Sequence, residues 1–203
     1  MTSDRPEGIK IYRVVPDGLR FQSLELAEPI REGEEPLRFD GTFKLETWQP
    51  PQVRILDPSL PRGSFLGFVP GSLAVDPSAL EEILDLLEIS GEVLPLPCGK
   101  ELLHVLNVTE CIDALDPERC DWEVDGRTGR RLRPRRYAFR RHRLNATPLF
   151  SVPETCELEI LAAKGFDEPA DDFMAHVEDE KLTGLRFEEI WSDDELGEGR
   201  RDA

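Results

Sequence analysis

Histidine is scarce in this chain, with only His104, His142 and His176 among 203 residues. That leaves few candidates for the side chain that most often serves as a general base. No G-x-G-x-x-G, G-x-x-x-x-G-K-[ST], G-x-S-x-G or H-E-x-x-H occurs. Dinucleotide, phosphate-loop, hydrolase-elbow and zincin chemistries therefore have no signature here. No run approaches the ~20 apolar residues of a membrane span. The opening MTSDRPEGIKIYRVV carries no apolar stretch of the signal-peptide kind, and the protein is expected to be soluble and cytoplasmic. Cysteine is limited to Cys98, Cys111, Cys120 and Cys156, with no C-x-x-C pair, so reduced thiols are expected rather than a disulfide framework. Cys111 and Cys120 have no second pair to complete a metal site, and neither metal nor cofactor is expected.

Acid is what the chain has in abundance. Its 42 carboxylates against 25 Lys and Arg give a net charge of -17. So many carboxylates make any one pair uninformative as an acid–base couple. A surface of this sign repels phosphate at long range and speeds association with basic partners.

The order of elements predicts an α+β fold, mostly antiparallel sheet, with one well-defined amphipathic helix and a second, shorter C-terminal helix. Alternation in IKIYRVV, LRFQSLEL and GTFKLETW reads as early strands. In VDPSALEEILDLLEISG, Asp76 is placed to cap a helix, Pro77 suits its first position and Gly91 stops it. Leu80, Ile83, Leu84 and Leu87 form the expected core stripe, with Glu81, Glu82, Asp85 and Glu88 turned largely away. Two strand-like runs, 92–96 and 102–108, flank a turn at Cys98–Lys100. A second helix is expected to start near Pro169 and end by Gly184. His104 is expected on a strand face with one hydrogen bond, and Asn107 as an amide holding backbone groups. The whole reads as one domain over residues 1–192 with a flexible acidic tail at 193–203.

The stretch RTGRRLRPRRYAFRRHR, residues 127–143, holds nine arginines. Arginines interleaved with aromatics are one mark of nucleic-acid binders. Alternation, however, puts Tyr137 and Phe139 on one face, the ordinary sign of a core-facing strand. The stretch is therefore expected to be a strand and its preceding turn, with Tyr137 and Phe139 inward and its arginines facing acids of the same chain. The expected acidic partners are Asp171, Asp172, Glu178, Asp179 and Glu180. Whatever remains unpaired among these five is the candidate partner-facing surface. Nucleic-acid binding through 127–143 is the alternative function, not the leading one.

From about Phe65 onward the order of segments resembles a known family. FLGF, the leucine-rich helix, VLPLP and above all LNVTECIDALD are similar to the central block of an immunity-protein family of bacterial polymorphic toxin systems. That family is named after a Myxococcus protein and is also called Imm-eleven. PLFSVPETCELEIL and TGLRFEEIW resemble its closing part, so the likeness spans roughly 65–191. The arginine stretch is more basic, and AAKGFDEPADDFMAHVEDEK more acidic, than the family pattern. The resemblance implies a non-enzymatic protein that neutralises a cognate toxin encoded nearby. It carries over no catalytic residue and leaves oligomeric state open.

Overall fold

The structure is a computed structural model that describes residues 8–29, 35–166 and 172–193. Eleven strands and two helices alternate irregularly among them, and the fold is α+β with mostly antiparallel pairing. A three-stranded antiparallel sheet has β1 (Lys10–Pro16) at its centre, between β10 (Ile160–Lys164) and β11 (Leu185–Ser192). A six-stranded sheet contains β2 (Leu24–Leu26), β3 (Val53–Ile55), β6 (Gly91–Cys98), β7 (Glu101–Val108), β5 (Ser72–Val75) and β4 (Phe65–Leu66), in that spatial order. Its spine is the β6–β7 hairpin, in register from Gly91–Val108 to Cys98–Glu101. Pro95 and Pro97 are tolerated in β6 because one residue pair alone, Val53–Cys98, joins it to β3. A separate two-stranded ribbon, β8 (Asp121–Val124) and β9 (Arg131–Arg136), completes the strands.

Three apolar clusters fill the spaces. The middle one lies between the two sheets. Leu73, Val75 and Leu106 of the large sheet meet Val14, Ile160 and Ala162 of the small one there. Both helices, α1 (Pro77–Ser90) and α2 (Phe173–Asp179), press into the same layer. Beyond the small sheet, Ile11, Leu161 and Trp191 pack on Tyr137, Phe139 and Phe150. Beyond the large sheet, Leu94, Leu96, Leu103 and Val105 are covered by Phe39 and Trp48. Each sheet is thus buried on both faces.

Helix α1 forms for local reasons. The Asp76 carboxylate accepts the Ser78 N–H at 3.0 Å, Pro77 opens the helix and Gly91 follows its last turn. Its buried face is rotated from the expected stripe. Ile83 and Leu87 are buried, but Leu80 and Leu84 are only half covered, and Ala79, Leu86 and Ser90 complete the buried side. Ser90 fits there because its hydroxyl donates to Leu86 O at 2.7 Å and accepts the Leu149 N–H at 3.1 Å.

Two early strands differ from expectation. LRFQSLEL is a strand only over Leu24–Leu26, with one isolated bridge from Ser23 to Gly67, and Leu19 is exposed. GTFKLETW is no strand: it holds one turn of 3-10 helix at Leu45–Thr47, with Phe43 and Leu45 exposed. Its backbone is captured by the Glu92 carboxylate, which accepts the N–H groups of Lys44 and Leu45 at 2.7 and 3.0 Å. Asn107, fully buried, secures that carboxylate at 2.8 Å and also donates to Thr42 O at 2.9 Å. Asn107 therefore holds backbone, as its position in LNVTECIDALD suggested.

Candidate partner-binding surfaces

The residues from which a catalytic pair would be built lie on the β6–β7 hairpin without meeting. Cys98 is opposite Glu101, and His104 is opposite Pro95. Burial pushes the Cys98 thiol up and the His104 imidazole down, which favours the neutral form of both. An activated thiolate–imidazolium pair needs the reverse. The expected His104 hydrogen bond is missing on one side, since its buried Nδ1 has no partner. That arrangement predicts a pH effect. Because burial lowers the folded-state pKa, the unfolded chain binds the proton first, and stability falls as pH drops through about 6.5. His104→Val is expected to flatten the loss between about pH 7 and pH 5, read as the urea midpoint at each pH. An unchanged slope would move the effect elsewhere. Among the described residues, no group of His, Cys, Asp and Glu is placed to hold a metal ion.

The charged surface carries more. Of the five acids expected to pair with the arginines, Asp171 lies outside the described residues. Asp172 is the cap of α2, its carboxylate accepting the Ala175 N–H at 2.9 Å. Glu178, Asp179 and Glu180 are exposed at the end of α2 and make no ion pair among the described residues. None of the described acids in this group meets the arginine stretch. The actual partners are Asp113 and Asp116 for Arg140, Asp113 for Arg143, Asp193 for Arg141 and Glu123 for Arg133. Asp113 and Asp116 lie near because Phe139 bridges to Leu115 and Arg140 N–H donates to Ala114 O at 2.7 Å, and Glu123 because β8 pairs with β9.

A second acidic face was not singled out from the sequence. Glu81, Glu82, Asp85 and Glu88 are exposed along α1 and likewise make no ion pair among the described residues. His176 joins the two helices, its Nε2 lying 2.7 Å from Glu82 O. The carboxylates of α1 and the end of α2 therefore sit on neighbouring elements of one surface. The sequence signal was present, since these four acids were read as facing away from the core. Nothing local showed that α2 would dock beside them.

The arginine stretch is divided in two by the fold. Its second half is anchored. Tyr137 and Phe139 are buried and stacked, centroids 6.0 Å apart, as expected, but they lie after the strand rather than in it. The Tyr137 hydroxyl donates to the Glu159 carboxylate and accepts from Arg13 Nη2 at 2.9 Å. Arg13 also reaches Glu159 through Nε at 2.7 Å and Glu188 through Nη1 at 3.1 Å. Burial works against the Arg13 charge, yet the Glu159 hydrogen bond and charge outweigh it and raise its pKa. Burial, helped by the Glu159 charge, raises that of Tyr137. Its first half is the β8–β9 ribbon, where Pro134 is the one buried residue of β9.

The fold and these surfaces define an acidic α+β protein built around a two-sheet core. No family model matches the chain, and no curated protein matches it. No helix among the described residues is long and apolar enough to cross a membrane.

Proposed function

We propose that this protein is an immunity protein: it binds a cognate toxin in the cytoplasm of the cell that makes both and blocks it by contact, without catalysis. The supporting observation is the run of carboxylates on α1 and at the end of α2, on helices that His176 joins, which make no ion pair among the described residues. Such a face offers a basic partner fast, salt-sensitive association. An interface of ordinary size, ~1,600 Å² in total, suffices to cover an active site. The resemblance of 65–191 to the toxin-immunity family supplies the kind of partner.

The test is co-expression with the product of the adjacent gene, scored by growth and co-purification. Rescue and a stable complex are the expected results. The combined substitutions Glu82→Lys, Asp85→Lys and Glu178→Lys are expected to slow association at least tenfold while leaving the fold intact, since all three side chains are exposed. Rescue that survives these reversals with unchanged kinetics would place the contact on another face.

A further inference from the structure

Helix α2 ends on a residue that the local backbone does not favour. Leu182 N–H donates to Val177 O at 2.9 Å and Lys181 N–H to Glu178 O at 3.1 Å. This pair of bonds closes a helix whose next residue turns left-handed, a place glycine usually takes. Lys181 takes it here, with φ 54°, as the one non-glycine residue of positive φ among the described residues. The helix dipole favours a cation at this end, but a lysine one residue earlier would have that interaction without the strain.

A second lysine is also placed unfavourably. Lys164, at the end of β10, lies directly opposite Lys10 of β1. Like charges at such a pair destabilise a sheet. Glu189 answers Lys10 at 3.1 Å. Lys164 and Lys181 make no ion pair among the described residues, although the chain has 42 carboxylates.

Both lysines line one cleft of about 360 Å³ between α2 and the small sheet. Alternation turns Ala163 to the outer cluster and Lys164 to the α2 side. The walls are Met174 and Val177 of α2, Leu182 just after it and Phe187 of β11. Glu178 is the one carboxylate among the described lining residues, so the two lysines leave the lining with a net positive charge. The volume is at the small end of ligand sites, which run from ~300 to ~1,000 Å³. Phe187 meets Phe173 edge-on, at 6.2 Å and 73°, and offers no pair of ring faces to a planar group. None of the described lining residues is an arginine, so the planar fork that grips phosphate is missing. What remains is an apolar trough for a flexible chain, with Met174 able to adapt to its shape, and point cations for an anionic head.

We propose that this cleft binds a small aliphatic carboxylate of about six to eight carbons, its chain against the apolar walls and its head between Lys164 and Lys181. The ligand is a free acid and not the end of a polypeptide. Its binding is measured on this protein alone, so failure would leave the toxin-binding reading where it stands.

The chain has two methionines, Met1 and Met174. Carbon-13 labelling of their methyl groups gives one NMR signal from the cleft wall and one for comparison. Titration with octanoate at neutral pH is expected to shift the Met174 signal saturably. A dissociation constant below about 1 mM is expected for a ligand of about ten non-hydrogen atoms. Octylamine, with the opposite charge, and acetate, which has the head alone, are expected to leave the signal in place at the same concentrations. Lys164→Gln with Lys181→Gly is expected to weaken octanoate at least tenfold. The melting midpoint should not fall, since glycine relieves the strain at 181 and the lysine pair is broken. No saturable shift, an equal response to octylamine, unchanged octanoate affinity in the double variant, or tighter binding of a short peptide ending in leucine would each overturn the proposal.

Discussion

Glu159→Ala is expected to destabilise the protein by about 3–5 kcal/mol, because it strips the counter-charge from a guanidinium that has little water to turn to. Glu159 is 7% exposed and stands on the inner rim of the small sheet, just before β10. It accepts from Arg13 Nε at 2.7 Å and from the Tyr137 hydroxyl at 2.7 Å. Glu188 remains near Arg13, at 3.1 Å, but it is half exposed and cannot replace both bonds. The measurement is the urea midpoint with its slope. Removing both charges, as in Arg13→Met with Glu159→Leu, is expected to cost less than Glu159→Ala alone, since no charge is then left unmatched in the interior. If the double variant proves the less stable, the pair stabilises the fold by more than it costs to bury. The same network fastens Tyr137, hence the root of the arginine stretch, to β1. Glu159→Ala should therefore loosen the ribbon's attachment as well, visible as faster amide exchange after Arg136.

How far the sequence reached can be read from individual elements. Helix α1 was legible from end to end because its signals are local: a cap at Asp76, proline at 77 and glycine at 91. The β6–β7 hairpin was legible because its two apolar runs flank the tight turn at Gly99. The exact face of α1 was not, since periodicity fixes a stripe to within about one residue. The choice between Leu84 and Leu86 depends on Leu149, which binds Ser90 from 59 positions away in sequence. GTFKLETW alternates like a strand, yet Glu92 and Asn107 hold it as a loop, and neither is within 40 residues of it. The arginine stretch shows the same limit. That Tyr137 and Phe139 turn inward follows from their type and spacing. Which of 42 acids neutralise the arginines does not, because charge carries no address. Strand β9 also ends at Arg136, and register shifts interrupt its pairing with β8, so the alternation counted through Tyr137 and Phe139 does not describe the ribbon, whose arginines stay exposed. The acidic face was legible as residues and illegible as a surface, since only the docking of α2 through His176 brings its two parts together.

Gly184→Ala is expected to cost at least about 3 kcal/mol and to leave little folded protein at physiological temperature. Two separate demands meet at this residue. Its φ of +97° lies where a side chain is strained, a penalty of ~1–3 kcal/mol by itself. A Cβ added there would also stand 2.1 Å from Phe65 O, a backbone atom with no freedom to swing aside. Phe65 is fixed because its N–H donates to Thr183 O at 2.9 Å, and Gly184 O in turn accepts the Asp17 N–H at 2.8 Å. The glycine thus clamps the edge strand β4 to the start of β11 and to the end of β1, joining the two sheets at the side of the middle core. Relieving the clash means giving up at least one of those bonds. Gly99, in the β6–β7 turn, separates the two demands. It also has a positive φ, +62°, but nothing lies within 4 Å of an added Cβ. Gly99→Ala is therefore expected to cost only ~1–2 kcal/mol, the backbone strain alone. Thermal melting of both variants beside the parent protein checks the pair. A Gly184→Ala loss no larger than that of Gly99→Ala would mean that β4 shifts freely, and that the contact between the sheets is looser than the hydrogen bonds at Phe65 and Asp17 indicate.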